Sequence, residues 1–238
     1  MQGTRARRRG RLGPAFRLAV FILKPFLTIF TRRDWVGTQH LSGDRGIVLA
    51  TNHLSWFDPL IISHILWDND RPPRFLAKDS LFTVPFVGWV LRDTGQIPVV
   101  RGTRDAALAV EAAVTAAQRG ECVVVYPEGT ITKDPDLWPG RAKNGAARIA
   151  LTAGVPLVPM AHWGAQEVMG PYRKELRLLP TKLMRVAVGP PVDLDDLRDR
   201  ELTAEVLAIA STRLMDAIQD LLRQVRPDAD SETTKGAR

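Results

Sequence analysis

Short apolar runs rich in Val and Ile alternate with longer stretches of helical periodicity along most of the 238-residue chain. A run too short for a helix and apolar on both faces suits a strand covered from both sides, and parallel strands need a crossover between them. The order therefore predicts an α/β domain with a mostly parallel central sheet of about seven strands flanked by helices. Candidate strands lie at residues 35–41, 46–51, 74–77, 96–100, 121–126, 156–161 and 182–189. Candidate helices lie at 59–67, at 80–92 as a broken pair, and at 103–119, 142–153 and 203–225. The third of these is Ala-rich and closes on Arg119-Gly120, a C-terminal signal.

At this length one hydrophobic core suffices, and 45% hydrophobic with 25% charged residues is ordinary for a folded domain, which excludes a disordered or polytopic chain. The single cysteine, Cys122, has no partner for an intrachain disulfide and reads as a small core residue.

The net charge of +7 is unevenly placed. Of 33 basic residues, nine (Arg5, Arg7, Arg8, Arg9, Arg11, Arg17, Lys24, Arg32, Arg33) fall in residues 1–33, which hold no acid; 24 are left to face 26 acids. The basic arm runs into an apolar stretch, residues 16–30, and that pairing fits an anionic lipid surface better than a nucleic-acid groove. A span needs about 20 apolar residues. This stretch is shorter and is interrupted by Arg17, Lys24 and Pro25, so it is expected to lie in the interface. A short span or hairpin, a secretory signal peptide and a plain core helix compete with that reading, although no small-residue cleavage site follows Phe30. The chain thus divides into a basic and apolar membrane-associating helical segment (1–33), an α/β domain (34–226) and a tail (227–238) whose composition predicts disorder.

Residues 49–59, LATNHLSWFDP, leave a strand and enter a helix, placing His53 and Asp58 at the carboxyl end of a parallel strand, where open α/β sheets build ligand sites. A histidine can take the proton of an attacking hydroxyl, and a carboxylate on its other nitrogen holds the ring and stabilises the imidazolium. Asp58 before Pro59 also suits a helix N-cap, and one carboxylate can serve both roles. Two further strand ends carry polar residues: Glu128 after Tyr126-Pro127, and Arg101 after residues 96–100. His53, Asp58, Arg101 and Glu128 are therefore expected on one rim.

In these motifs the sequence resembles the glycerolipid acyltransferase family that includes the bacterial 1-acylglycerol-3-phosphate acyltransferases. The blocks occur in order: His53 to Asp58 spaced as His-x4-Asp, Gly95 to Arg101, Pro127-Glu128-Gly129-Thr130, and an apolar Val-Pro block from Val155 to Pro159. The resemblance implies that His53 is the general base on the acceptor hydroxyl and that Asp58 orients and charges it. It implies that Arg101 grips the acceptor's phosphate and that Glu128, Gly129 and Thr130 shape and bind its polar head. The implied reaction is direct attack on an acyl thioester, from acyl-CoA or acyl carrier protein, by 1-acylglycerol-3-phosphate, giving phosphatidic acid for phospholipid synthesis. It implies no cofactor and a peripheral or monotopic place on the cytoplasmic side of the cell membrane. The absence of a Gly-x-Ser-x-Gly elbow agrees with direct attack.

The family commonly has Arg after Glu-Gly-Thr, and here Ile131 stands there. No isoleucine can match a phosphate as a guanidinium fork does. Lys78, Arg141 and Lys143 are candidates to help Arg101, with solvated surface charge as the competing reading of each, and another lysophospholipid or a glycolipid is the alternative acceptor. His162 could line the same rim or be a satisfied structural histidine; His40 and His64 read as structural. The aromatic and apolar group from Leu81 to Trp89 reads either as helix packing or as a membrane-facing entrance for an acyl chain. No metal-ligand spacing and no phosphate or dinucleotide fingerprint occurs, and the near-neutral body argues against a nucleic-acid partner.

Overall fold

A computed structural model describes residues 13–100 and 105–227. The basic residues before position 13, Arg101 and the tail from 228 lie outside the described residues.

Seven strands form one sheet: β1 (Thr31–Val36), β2 (Ile47–Thr51), β3 (Pro73–Lys78), β4 (Ile97–Val99), β5 (Cys122–Val125), β6 (Leu157–Trp163) and β7 (Lys182–Val188). Their order is β1-β7-β6-β2-β5-β3-β4, and every pair is parallel except β6 with β7. The helices are α1 (Pro14–Phe30), α2 (Asp58–Asp68), α3 (Val87–Asp93), α4 (Asp105–Gln118), α5 (Gly145–Ala153), α6 (Ala165–Val168), α7 (Asp195–Arg198) and α8 (Ala204–Val225). This is the α/β fold with a mostly parallel seven-stranded sheet that the alternation predicts.

Strand periodicity divides the core. Val48, Ala50, Val123 and Val125 face the layer of α4, α5 and α8, whereas Ile47, Leu49, Cys122 and Val124 face α2 and the Leu27 end of α1. Successive side chains of a strand point to opposite faces, so a run apolar at every position is buried twice over. Cys122 is one of these core positions.

Two expectations shift. The strand expected at 35–41 is instead Thr31–Val36, and Gly37 at φ +73 turns the chain into a 3-10 segment, Thr38–Leu41. Its charged stretch Arg32-Arg33-Asp34 hides the strand in the sequence, yet charge is how an edge strand avoids pairing with another chain, and β1 is an edge. The domain limit drawn at residue 33 consequently falls inside β1. The segment before it is not detached either: α1 packs against α2 and α3, and the Asp93 carboxylate accepts the N–H groups of Ala15 and Phe16 at 2.9 and 3.3 Å. Those amides have no partner within their own helix, so α3 supplies the cap that Gly13 lacks.

Candidate active site

The carboxyl ends of β2 and β5, adjacent and parallel, bring the polar residues together. His53 Nδ1 lies 2.8 Å from Asp58 Oδ2. The same oxygen accepts the backbone N–H groups of Leu54 at 2.6 Å and Ser55 at 2.9 Å. Asp58 is the first residue of α2, but its carboxylate points back into the 53–55 turn and not forward over the helix amides, so the expected N-cap role is replaced by a turn-closing one. The Ser55 hydroxyl is spent locally, donating to Met169 O at 2.6 Å and accepting Phe57 N–H at 3.0 Å.

With Nδ1 engaged, Nε2 is the nitrogen left for a substrate, and the ring forms part of a cavity wall. Tyr126 stacks on the imidazole at 3.9 Å between centroids and 17° between planes. Burial, and then the charge of Asp58, pushes the Tyr126 phenol well above its usual range, so it stays protonated.

Glu128 is 8% exposed and faces protein, not the cavity. One oxygen accepts His53 N–H at 3.3 Å and the other accepts Gly140 N–H at 2.8 Å. Burial raises its carboxyl above the usual value, and the two backbone donors partly offset that. Thr132 N–H completes the clasp on His53 O at 2.9 Å. Glu128 thereby ties the β2 turn to the loop after β5. Behind both, Asn52 and His162 clasp each other through three hydrogen bonds of 3.0 Å: Asn52 Nδ2 to His162 O, His162 N–H to Asn52 Oδ1, and His162 Nε2 to Asn52 O. His162 is fully buried and its pKa is lowered by that burial, which makes it the neutral donor of the third bond.

The cavity measures about 1040 Å³, at the upper end for ligand pockets. Much of its wall is apolar: Phe16, Val20, Leu23 and Leu27 from α1, Leu60 and Trp67 from α2. Gly129, Thr130, Lys143 and Lys78 also line it. Gly129 has φ +71, and a Cβ there would lie 3.1 to 3.4 Å from the outer atoms of Lys143, so the missing side chain lets the lysine lie flat across the loop. Among the described residues neither Lys78 nor Lys143 has a carboxylate within ion-pair reach. Arg141 is exposed and does not line the cavity, and Ile131 is buried in its wall. Tyr172 contributes a hydroxyl that donates to Ile131 O at 2.6 Å and lies 3.3 Å from the Thr130 hydroxyl. Arg101 follows β4, whose Val99 lines the same cavity, but it lies outside the described residues. Tyr126, Asn52 and Tyr172 were not singled out by sequence. Asn52 and Tyr126 adjoin recognised motif residues, whereas Tyr172 reaches the site only through the fold. No cluster of three metal-ligating side chains occurs among the described residues.

The acyltransferase family profile matches residues 32–163, more than half the chain. A chloroplastic 1-acyl-sn-glycerol-3-phosphate acyltransferase of Brassica napus is 31% identical over 155 residues, covering 63% of this chain and 43% of that protein. The 1-acyl-sn-glycerol-3-phosphate acyltransferase of Salmonella typhimurium is 28% identical over 211 residues, 86% of this chain and 76% of that one. The chain spans less than half the length of the plant and algal relatives it matches. A crystal structure of the 1-acyl-sn-glycerophosphate acyltransferase of Thermotoga maritima shares the fold with a TM-score of 0.64 and 22% identity, over 86% of this chain and 78% of that one.

Proposed function

The chain belongs to the acyltransferase family, and on that premise we propose that it transfers a fatty acyl group from a thioester donor to the free hydroxyl of 1-acylglycerol-3-phosphate at a membrane surface, forming phosphatidic acid. The observation that carries this reading is the His53–Asp58 pair, with His53 in the wall of a cavity lined by apolar side chains of α1 and α2 and also by Lys78 and Lys143.

His53 Nε2 takes the acceptor's hydroxyl proton as the oxygen attacks the thioester carbonyl, and Asp58 steadies the imidazolium that forms. Collapse of the tetrahedral adduct breaks the carbon–sulfur bond, and His53 returns the proton to the departing thiolate. Direct attack is favoured because the neighbouring protein nucleophiles are otherwise occupied: Ser55 is bonded to Met169 and Phe57, and Cys122 is buried in the sheet. The apolar arm under α1 suits an acyl chain. Lys143 and Lys78 suit the acceptor's phosphate, in place of the arginine that Ile131 replaces, with Arg101 the further candidate from the loop after β4.

Membrane association is supported by α1. Its inner face lines the cavity, while Leu18, Phe21, Ile22 and Ile29 form an outward stripe with Phe21 77% exposed. Fully burying such side chains contributes about 1.5 to 3 kcal/mol each, so four of them hold a helix on a bilayer without crossing it. No helix among the described residues is long and apolar enough to cross a membrane. The outward stripe supports reading the N-terminal segment as lying in the interface, peripheral or monotopic, on the face reached by acyl-CoA or acyl carrier protein.

The test is a panel of lysolipid acceptors offered to the purified protein with one labelled acyl-CoA and one labelled acyl carrier protein. 1-Acylglycerol-3-phosphate is expected to be used best, and Lys143→Ala to raise its KM about tenfold or more by removing a charge-assisted contact. Best use of an acceptor without a phosphomonoester would displace this substrate in favour of another lysophospholipid or a glycolipid.

A further inference from the structure

The two segments that flank β7 carry opposite charge. Because β6 and β7 are antiparallel, with Trp163 opposite Arg185 and Met160 opposite Val188, β7 begins at the rim that carries the site and ends at the far edge of the sheet. The segment at its beginning, residues 171–185, holds Arg173, Lys174, Arg177, Lys182 and Arg185 against Glu175 alone. The segment beyond its end, residues 190–205, holds Asp193, Asp195, Asp196, Asp199, Glu201 and Glu205 against two arginines. Val192 N–H donates to Leu157 O at 2.8 Å, which fixes this acidic segment at the amino end of β6, opposite the rim.

The cationic end is also apolar in the wrong place for a water-facing loop. Leu176 is 54% exposed and Leu179 75%, interleaved with Arg173, Lys174 and Arg177, while Leu178 between them packs into the core. Exposed leucines set among cations fit a surface that offers both negative charge and hydrocarbon. The neighbouring element has the same character: α1 ends at Phe30, Thr31 pairs with Lys182 across the sheet, and the outward stripe of α1 reaches Ile29. The end of the loop and the end of α1 are therefore neighbours at the same end of the sheet.

We infer that residues 173–182 are a second membrane-contacting element, which binds anionic lipid headgroups through Arg173, Lys174, Arg177 and Lys182 and inserts Leu176 and Leu179. The inference rests on the reading of the chain as a surface-acting acyltransferase and adds the direction in which it sits. The cationic rim is drawn to an anionic leaflet and the acidic far edge is repelled, so the mouth of the cavity faces the lipid before any helix inserts. The loop reports to the site, since Tyr172 at its start holds Ile131 O and Ser55 holds Met169 O.

Two multiple variants of the full chain test this: Arg173→Gln/Lys174→Gln/Arg177→Gln, and Leu176→Ser/Leu179→Ser. Each is measured by co-sedimentation with phosphatidylcholine vesicles and with vesicles also containing phosphatidylglycerol, over a range of salt. Each basic residue near an anionic surface contributes about a factor of five. The cation variant is thus expected to bind anionic vesicles at least about tenfold more weakly, with a shallower salt dependence and unchanged binding to neutral ones. The leucine variant is expected to weaken on both. Acyl transfer to an acceptor dispersed in detergent should be unaltered in both variants. Unchanged vesicle binding by both would overturn the inference. So would a cation variant that binds vesicles normally but is slowed only with acyl carrier protein as donor, because the patch would then be a docking site for an acidic protein. Absence of transfer by the unaltered chain, whatever the vesicle results, would instead refute the proposed activity.

Discussion

The hydrogen-bonded network behind His53 and the apolar wall of the cavity are built on opposite principles. On the polar side, a network of Asn52, His53, Asp58, Glu128 and His162 of which only His53 reaches the cavity, nearly every donor has a named acceptor between 2.6 and 3.3 Å, and most of the groups are buried. On the apolar side, Phe16, Val20, Leu23, Leu60 and Trp67 enclose space with no directional bond into it. A hydrogen-bond network fails when one member is lost, because a buried partner is left unsatisfied. An apolar wall changes its volume and keeps its kind. Loss of rate should therefore concentrate on the polar side and changes of substrate length on the apolar side.

The largest effect is expected at Asp58. Asp58→Asn keeps an acceptor for the Leu54 and Ser55 amides but removes the charge that stabilises the imidazolium, and kcat should fall by about three orders of magnitude. A fall of tenfold or less would mean that Asp58 serves only the turn.

Glu128→Gln comes next. One of its two oxygens becomes an NH2 facing a backbone N–H, and a mismatched buried donor costs about 1 to 3 kcal/mol. Chemical unfolding should show about 2 kcal/mol lost and activity reduced in step. Lost phosphate affinity at full stability would instead place the carboxylate in the acceptor site.

On the apolar side, Leu23→Trp should narrow the arm under α1. Its preference between long and short acyl donors should shift about tenfold toward the short, with kcat for the short donor within a few-fold of normal. A uniform loss for all donors would make the two sides alike.

The smallest effect is a pH dependence of stability. His64, edge-on to Trp35 at 5.2 Å, and His162 both have pKa values lowered from 6.5 by burial. Below 6.5 the unfolded chain takes up protons that the folded one refuses, so stability present above that pH is lost as pH falls, by at most about 1.4 kcal/mol per pH unit per histidine. Glu128, raised, works in the other direction as pH approaches its own range. Unfolding at pH 7 and 5.5 should show a smaller difference for His64→Leu than for the unaltered protein.

The same division explains what was legible in the sequence. His53, Asp58 and Glu128 stand out because they lie just past the carboxyl ends of buried strands, where open α/β sheets build ligand sites, and because local spacing suffices to join the first two. The double-faced burial of β2 and β5 was readable from unbroken apolar runs such as Cys122-Val123-Val124-Val125. The direction of the Glu128 carboxylate was not readable, since it depends on Gly140, twelve residues away in a loop without periodicity. Strand β1 was misplaced because an edge strand carries charge where a central one carries Val. Tyr172 and the roofing of the cavity by α1 depend on contacts between distant segments, which no local pattern encodes.

The central claim is tested most directly by His53→Ala, assayed for kcat/KM with 1-acylglycerol-3-phosphate while its thermal unfolding and vesicle binding are followed in parallel. A general base contributes about 10² to 10⁴ in rate. The account predicts a loss of at least about a hundredfold with folding and membrane binding intact; a variant that transfers acyl groups within a few-fold of the unaltered protein would contradict it.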